Sequence, residues 1–179
     1  MHITYQNLAI RNAAPEDASL LCRWWNDGRV MAHAGYPNGL NMTPQRIAQN
    51  LASDSDETRR RLMIEVDSVP VGEMSYRNMG QGVAQIGIKI CDFSQQEQGH
   101  GTRFLKMLIT GLFAAGYEEI TLDTNLTNTR AQHVYEKIGF RKLRVNHNSF
   151  KDQLGALQSS VDYALRKSQF SALDVASFL

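Results

Sequence analysis

The chemistry in this chain starts from one run, Gln96-Glu97-Gln98-Gly99-His100-Gly101-Thr102. It follows Ala84, Ile86, Ile88 and Ile90, which alternate with Gln85, Gly87, Lys89 and Cys91 at the period of a strand. It precedes Phe104, Leu105, Leu108, Ile109 and Leu112, which recur at helical spacing. Two glycines therefore fall where a helix begins. The N–H groups of a first turn are unpaired and lie at the positive end of the helix dipole. Glycine lets a diphosphate approach that backbone closely, so the pattern reads as a phosphate cradle; a tight turn without a ligand has the same spacing. Two familiar cradles fail on residue type. A Walker A loop needs Lys-Ser/Thr after its last glycine, and here Gly101 is followed by Thr102-Arg103. A dinucleotide fingerprint needs a small residue where the chain has Phe104.

A second stretch, Asn128-Thr129-Arg130-Ala131-Gln132-His133-Val134-Tyr135-Glu136-Lys137-Ile138-Gly139-Phe140, lies downstream. Gln96-x-x-Gly99-x-Gly101 resembles the Q/R-x-x-G-x-G/A acetyl-CoA pyrophosphate loop of the GNAT N-acetyltransferases. Asn128, Tyr135 and Gly139-Phe140 are similar to the second half of that signature. The resemblance implies acetyl-CoA as co-substrate and direct transfer of acetyl to a primary amine, on a small molecule or a protein N-terminus. It points to the subgroup of ribosomal-protein N-terminal and small-amine acetyltransferases. The alternative is a domain of the same family that binds acyl-CoA without turnover.

Transfer to an amine needs a neutral nucleophile, a polarised carbonyl and a proton for the departing sulfur. An alkyl ammonium has a pKa near ~10, so a base must act at neutral pH. The resemblance makes Tyr135 the acid; read from the helix alone, it is an aromatic packed beside Val134 and Ile138. Asp123 lies five residues before Asn128, the offset of the glutamate base of the ribosomal-protein enzymes, and is one methylene shorter. Glu73 is the rival base; either carboxylate could equally be a plain strand residue. Lys89, Ile90 and Cys91 would offer backbone groups to the pantetheine, and Asn128 would hold that arm, cap its helix, or do both. Lys89 stands where many relatives carry an acid. Trp24-Trp25-Asn26-Asp27 resembles a W-x-N-D/E pattern of the subgroup, with Trp24, His33 and Tyr36 expected around the acceptor. The five histidines have no metal-ligand spacing, and no metal is expected.

The elements that must hold these groups follow from the pattern. Leu8 to Arg11 reads as a strand, Pro15-Glu16-Asp17 opens a helix, and Thr43-Pro44 caps another through about Ala52. Residues 29–42 have no stable period and read as a loop. Arg61 to Val66, Val69 to Asn78 and the strand after Gly82 form an antiparallel meander. Glu119 to Thr124, Arg141 to Asn146 and Leu157 to Lys167 are further strands, and the helix from Asn128 ends at Gly139. The resemblance implies an α+β GNAT fold, a mostly antiparallel twisted sheet of about seven strands flanked by about four helices. Residues 1–167 are expected to form a single domain, and 168–179 a tail, either a short docked helix or a frayed end.

Composition narrows the rest. With 42% apolar and 21% charged residues the chain has a globular make-up, and a formal charge of +1 argues against nucleic acid or a membrane as partner. Two cysteines, Cys22 and Cys91, fit reduced thiols and a cytoplasmic protein. The N-terminal stretch lacks a basic region followed by an apolar one, and no segment is apolar enough to span a bilayer. A monomer or a homodimer is compatible with all of this.

Overall fold

The computed structural model describes residues 1–170. Its centre is one mixed sheet of eight strands in the order β1-β2-β3-β4-β5-β6-β8-β7. Strands β1 (His2–Tyr5), β2 (Leu8–Asn12), β3 (Arg59–Val66), β4 (Val69–Asn78) and β5 (Val83–Ile90) run as successive antiparallel neighbours. Strand β6 (Glu119–Asn125) joins β5 in parallel, and β8 (Leu157–Arg166) and β7 (Arg141–Lys151) complete the sheet antiparallel. The β3–β4 turn is tight because Asp67 and Ser68 both take positive φ, 51° and 63°, the combination that a two-residue hairpin with right-handed twist demands.

The helices divide between the two faces. On one face α1 (Ala18–Asn26), α2 (Gly28–Met31) and α3 (Pro44–Ala52) bury Leu21, Trp25, Met31, Ile47 and Leu51 against Met63 of β3. On the other face α4 (His100–Ala114) presents Phe104, Leu105, Leu108, Ile109 and Leu112, and α5 (Thr129–Ile138) presents Tyr135 and Ile138. They meet Met74, Tyr76, Ala84, Ile86, Ile120 and Leu122 of the sheet. Alternation along each strand thus gives every strand residue a face: Glu73, Ser75 and Arg77 lie on the α1 side, Met74 and Tyr76 on the α4 side.

Three elements differ from the sequence expectation. The sheet has eight strands rather than about seven, because the four residues of β1 pair with β2 at the edge, too short a run to carry a period. Residues 29–42 are not all loop. One helical turn, α2, forms where the Asp27 side chain accepts from the Arg29 N–H at 2.9 Å, and capping rather than periodicity makes it. Strand β7 runs on to Lys151 past two register shifts. At the other end Lys167–Gln169 is a single 3-10 turn and Phe170 rests on Phe113 with ring centroids 5.7 Å apart. The rest of the expected tail, residues 171–179, lies outside the described residues. No helix among the described residues is long and apolar enough to cross a membrane.

Candidate active site

The parallel pairing of β5 with β6 covers only Val83↔Glu119, Ala84↔Ile120 and Gln85↔Thr121. Beyond that the two strands part. Ile86 to Ile90 form one wall of a cavity of about 530 Å³, and Leu122 to Asn125 form the other. The edge of β5 that faces the cleft has no partner strand among the described residues, so its backbone donors and acceptors stand ready for a ligand.

The glycine run sits at the α4 end of this cleft. The Gln96 side chain donates to the carbonyl of Ile90 at 2.9 Å, tying the loop to the end of β5. Gln98 donates to the Ser94 carbonyl at 2.6 Å, and Glu97 pairs with Arg130 at 3.3 Å. Gly99 is the N-cap of α4 with φ 78°, a left-handed backbone that favours glycine. A Cβ on Gly99 or on Gly101 would meet nothing within 4 Å. Both glycines therefore border open space beside the first turn of α4, Thr102 included, with its unpaired N–H groups. His100 between them turns inward and is buried beside Phe104. Open space beside unpaired N–H groups at a helix start is the chemistry that an anion such as a pyrophosphate calls for.

Two candidate groups line the same cavity from opposite faces of the sheet, Asp123 of β6 and Tyr135 of α5. The Asp123 carboxylate is open to the cleft and accepts one hydrogen bond, from Gln85 Nε2 at 3.2 Å. The walls around it still desolvate the charge, and Asp162, its cross-strand partner on β8, adds repulsion; together they push the carboxyl above the usual range. Asp162 in turn is held by Arg144 Nε at 2.8 Å and Asn146 Nδ2 at 2.9 Å. The Tyr135 ring packs edge-on against Phe140 and Tyr163. Its hydroxyl has no hydrogen-bond partner among the described residues, and burial, with the Asp123 charge, raises it to about 12. It is a protonated donor at neutral pH.

Glu73 is placed differently. It is buried on β4, where Trp25 Nε1 donates to its Oε1 at 2.9 Å and Lys89 Nζ approaches the same oxygen at 3.1 Å. Its charge is held in a pair, and that charge keeps the Lys89 ammonium above its ordinary value. Lys89 and Ile90 line the cavity; Cys91 is buried at the end of the strand, and burial raises its thiol far from nucleophilic use. Asn128 does a cap's work, accepting from the Ala131 N–H at 3.3 Å, and lines the cleft as well.

Of the acceptor candidates His33 lines the cavity, whereas Trp24 packs with the smaller core and Tyr36 is exposed outside it. The neighbouring pattern residues do not line the cavity; they brace the structure beside it. Trp25 holds Glu73, Asn26 clamps the backbone of Met42 through bonds of 2.9 and 2.8 Å, and Asp27 caps α2. Phe150 of β7, to which the sequence pattern assigns no role, also lines the cleft. Beyond it, Gln153 reaches across to the loop after α2: its N–H donates to the Gly35 carbonyl at 2.8 Å, and its side chain bonds the Asn38 N–H and the Gly39 carbonyl. Contacts between residues this far apart leave no local pattern in the sequence. Gln85, Asp162 and Phe150 are of that kind. No group of three potential metal ligands occurs among the described residues.

Comparison with known proteins gives the family and the fold. The family model described as an acetyltransferase (GNAT) domain matches residues 7–141. The [Ribosomal protein bS18]-alanine N-acetyltransferase of Haemophilus ducreyi is 31% identical over 70 residues, covering 39% of this chain and 48% of that protein; the chain thus matches about half the length of that relative. The spermidine N-acetyltransferase of Vibrio cholerae, solved in complex with CoA and spermine, superposes with a TM-score of 0.81 at 18% identity over 91% of this chain and 97% of that one. RimL, the ribosomal L7/L12 alpha-N-protein acetyltransferase, solved in complex with coenzyme A, gives a TM-score of 0.80 at 15% identity over 93% and 98%. At such identities the two structures speak for the fold. The chain belongs to the GNAT acetyltransferase family.

Proposed function

We propose that this protein transfers acetyl from acetyl-CoA directly to a primary amine. One observation carries the reading: a carboxylate of raised pKa and an unpaired, protonated tyrosine line one cleft between parted strands, with an open glycine-lined helix start at its end. The glycine loop and the first turn of α4 hold the pyrophosphate, and the free edge of β5 from Ile86 to Ile90 bonds the pantetheine amides. Acetyl-CoA supplies the activated acyl group as a thioester. Asp123 takes the proton from the incoming ammonium, directly or through one water, because it is the carboxylate that faces the cleft and holds no cation. Glu73 serves instead as the anchor that fixes Lys89 and Trp25. A backbone N–H of the β5 edge polarises the carbonyl, and Tyr135 gives its proton to the departing sulfur.

The test is release of free CoA thiol from acetyl-CoA with a panel of peptides and small amines. Wild-type protein should turn over at least one amine, and Tyr135→Phe should lose most of the rate while binding acetyl-CoA as before. Tight acetyl-CoA binding with no thiol release from any amine would make the domain a CoA-ligand sensor instead.

A further inference from the structure

The α1 side of the sheet carries charges that the transfer chemistry does not use. Arg59 and Arg61 on β3 and Arg77 on β4 share that face, and Arg59 is the direct cross-strand partner of Arg77. Like charges set opposite each other in a sheet are destabilising. Most other charges on this face are paired: Lys89 with Glu73, Arg144 with Asp162, and Arg61 with Asp54 at 3.4 Å. Arg61 also lies against the Trp25 ring, and one of its Nη atoms is buried without a hydrogen-bond partner. Arg59 and Arg77 have no ion-pair partner among the described residues. Burial, with Arg61 and Arg77 beside it, draws the Arg59 guanidinium below its ordinary value. Once the pairs are removed, the strands of this face keep one free carboxylate, Asp123, and three free guanidiniums: Arg59 and Arg77 as direct neighbours, and Arg141 alone on β7, across β8 from Asp123.

Their separation follows from the register. Arg77 pairs with Gln85, Gln85 with Thr121, and Asp123 lies two residues further along β6. With strands ~4.8 Å apart and a rise of ~3.3 Å per residue, Arg77 lies about 12 Å from Asp123 between Cα atoms, and Arg59 about 16 Å. A small amino acid is too short to span this. An extended peptide, at ~3.4 Å per residue, places the side chains of its second to fourth residues there when its amino group is at Asp123.

We infer that the acceptor is the N-terminus of a peptide with acidic side chains close behind its amino group, laid across the open sheet face with its carboxylates on Arg59 and Arg77. This rests on the transfer reading for the position of the amine. Planar guanidinium groups match carboxylates in two-point contacts, and such contacts would relieve the like-charge repulsion within the arginine cluster.

The experiment measures equilibrium binding of Ala-Asp-Glu-Ala amide and Ala-Lys-Lys-Ala amide to the CoA-loaded protein by calorimetry, with thiol release from acetyl-CoA followed in parallel. The acidic peptide should bind at least tenfold more tightly. That preference should shrink below threefold in Arg77→Gln, whose affinity for acetyl-CoA stays as in wild type, and it should shrink as salt screens the contact. Arg59→Gln is the second variant and should act in the same direction. Equal binding of the two peptides, or tighter binding of the lysine peptide or of spermidine, would overturn the inference and leave the transfer reading intact. A preference that holds while neither peptide nor any other amine releases thiol would sink the transfer reading instead and leave the arginine face as a docking surface for acidic peptides.

Discussion

Gly101→Glu sets two electrostatic effects against each other, and the structure fixes the sign of each. A Cβ at Gly101 meets no atom within 4 Å, so the longer side chain enters open space and displaces nothing in the free protein. Gly101 is the second residue of α4, where a carboxylate near the N-terminus stabilises a helix by about 0.3–1 kcal/mol. The melting temperature should therefore stay level or rise slightly. The same space is where the pyrophosphate would rest. A carboxylate about 5 Å from a phosphate charge, at an effective dielectric of about 20, repels it by about 3 kcal/mol. At 1.4 kcal/mol per tenfold change, acetyl-CoA affinity should fall by at least about a hundredfold. Gly101→Ala is the control, since a methyl in this open space carries no charge and should leave binding within a few-fold of wild type. Calorimetric titration of acetyl-CoA, together with thermal melts, separates the outcomes. If Gly101→Glu binds as tightly as wild type while folding normally, the cradle is not where the phosphates go.

Other perturbations follow from the site. Tyr135→Phe removes a hydroxyl without a partner, so the melting temperature should hold while kcat falls by about a hundredfold or more, the usual scale of a general acid. Asp123→Asn should lower kcat/KM by about 10²- to 10⁴-fold. For stability the sign reverses: a carboxyl whose folded pKa lies above its unfolded one penalises the folded state at pH values above both, so the same variant should melt at a higher temperature at neutral pH. In wild type the acid limb of the rate profile should sit above the ordinary aspartate range, and Asp162→Asn should move it to lower pH by removing the facing charge. Trp25→Phe deletes the buried donor to Glu73 and should cost about 1.5–3 kcal/mol in a denaturant titration, the scale of a hydrogen bond to a charged group.

Much of this arrangement is local and therefore legible. The period of two from Ala84 to Ile90, the glycines and the helical run after them fix a strand, a loop and a helix within thirty or so residues. Asn128 as a cap and Tyr135 two turns later are local in the same way. What stayed hidden depends on pairing between distant segments. Asp123 and Glu73 are both strand carboxylates in the sequence, and only the register makes Glu73 the buried partner of Trp25 and Lys89 while Asp123 opens into the cleft. The two tryptophans are adjacent, and the phase of α1 decides that Trp25 rather than Trp24 reaches the sheet. Gln153 closing on Gly35 and Asn38 is a contact between a hairpin tip and a loop, to which residue type gives no clue.

The short register between β5 and β6 has a consequence for solubility. A strand that leaves its neighbour midway exposes two rows of unpaired amides, which ordinarily invite another chain to add itself. Here the two rows face each other across a gap, with α5 over one side and Phe150 and the α2 turn over the other. An intruding strand would have to thread between them. Each bare edge thus screens the other from aggregation, and the opening admits only something slender enough to lie between strands. A ligand that bonds both edges would act as a missing strand, so hydrogen exchange at Ile86 to Ile90 should slow when the cleft is filled.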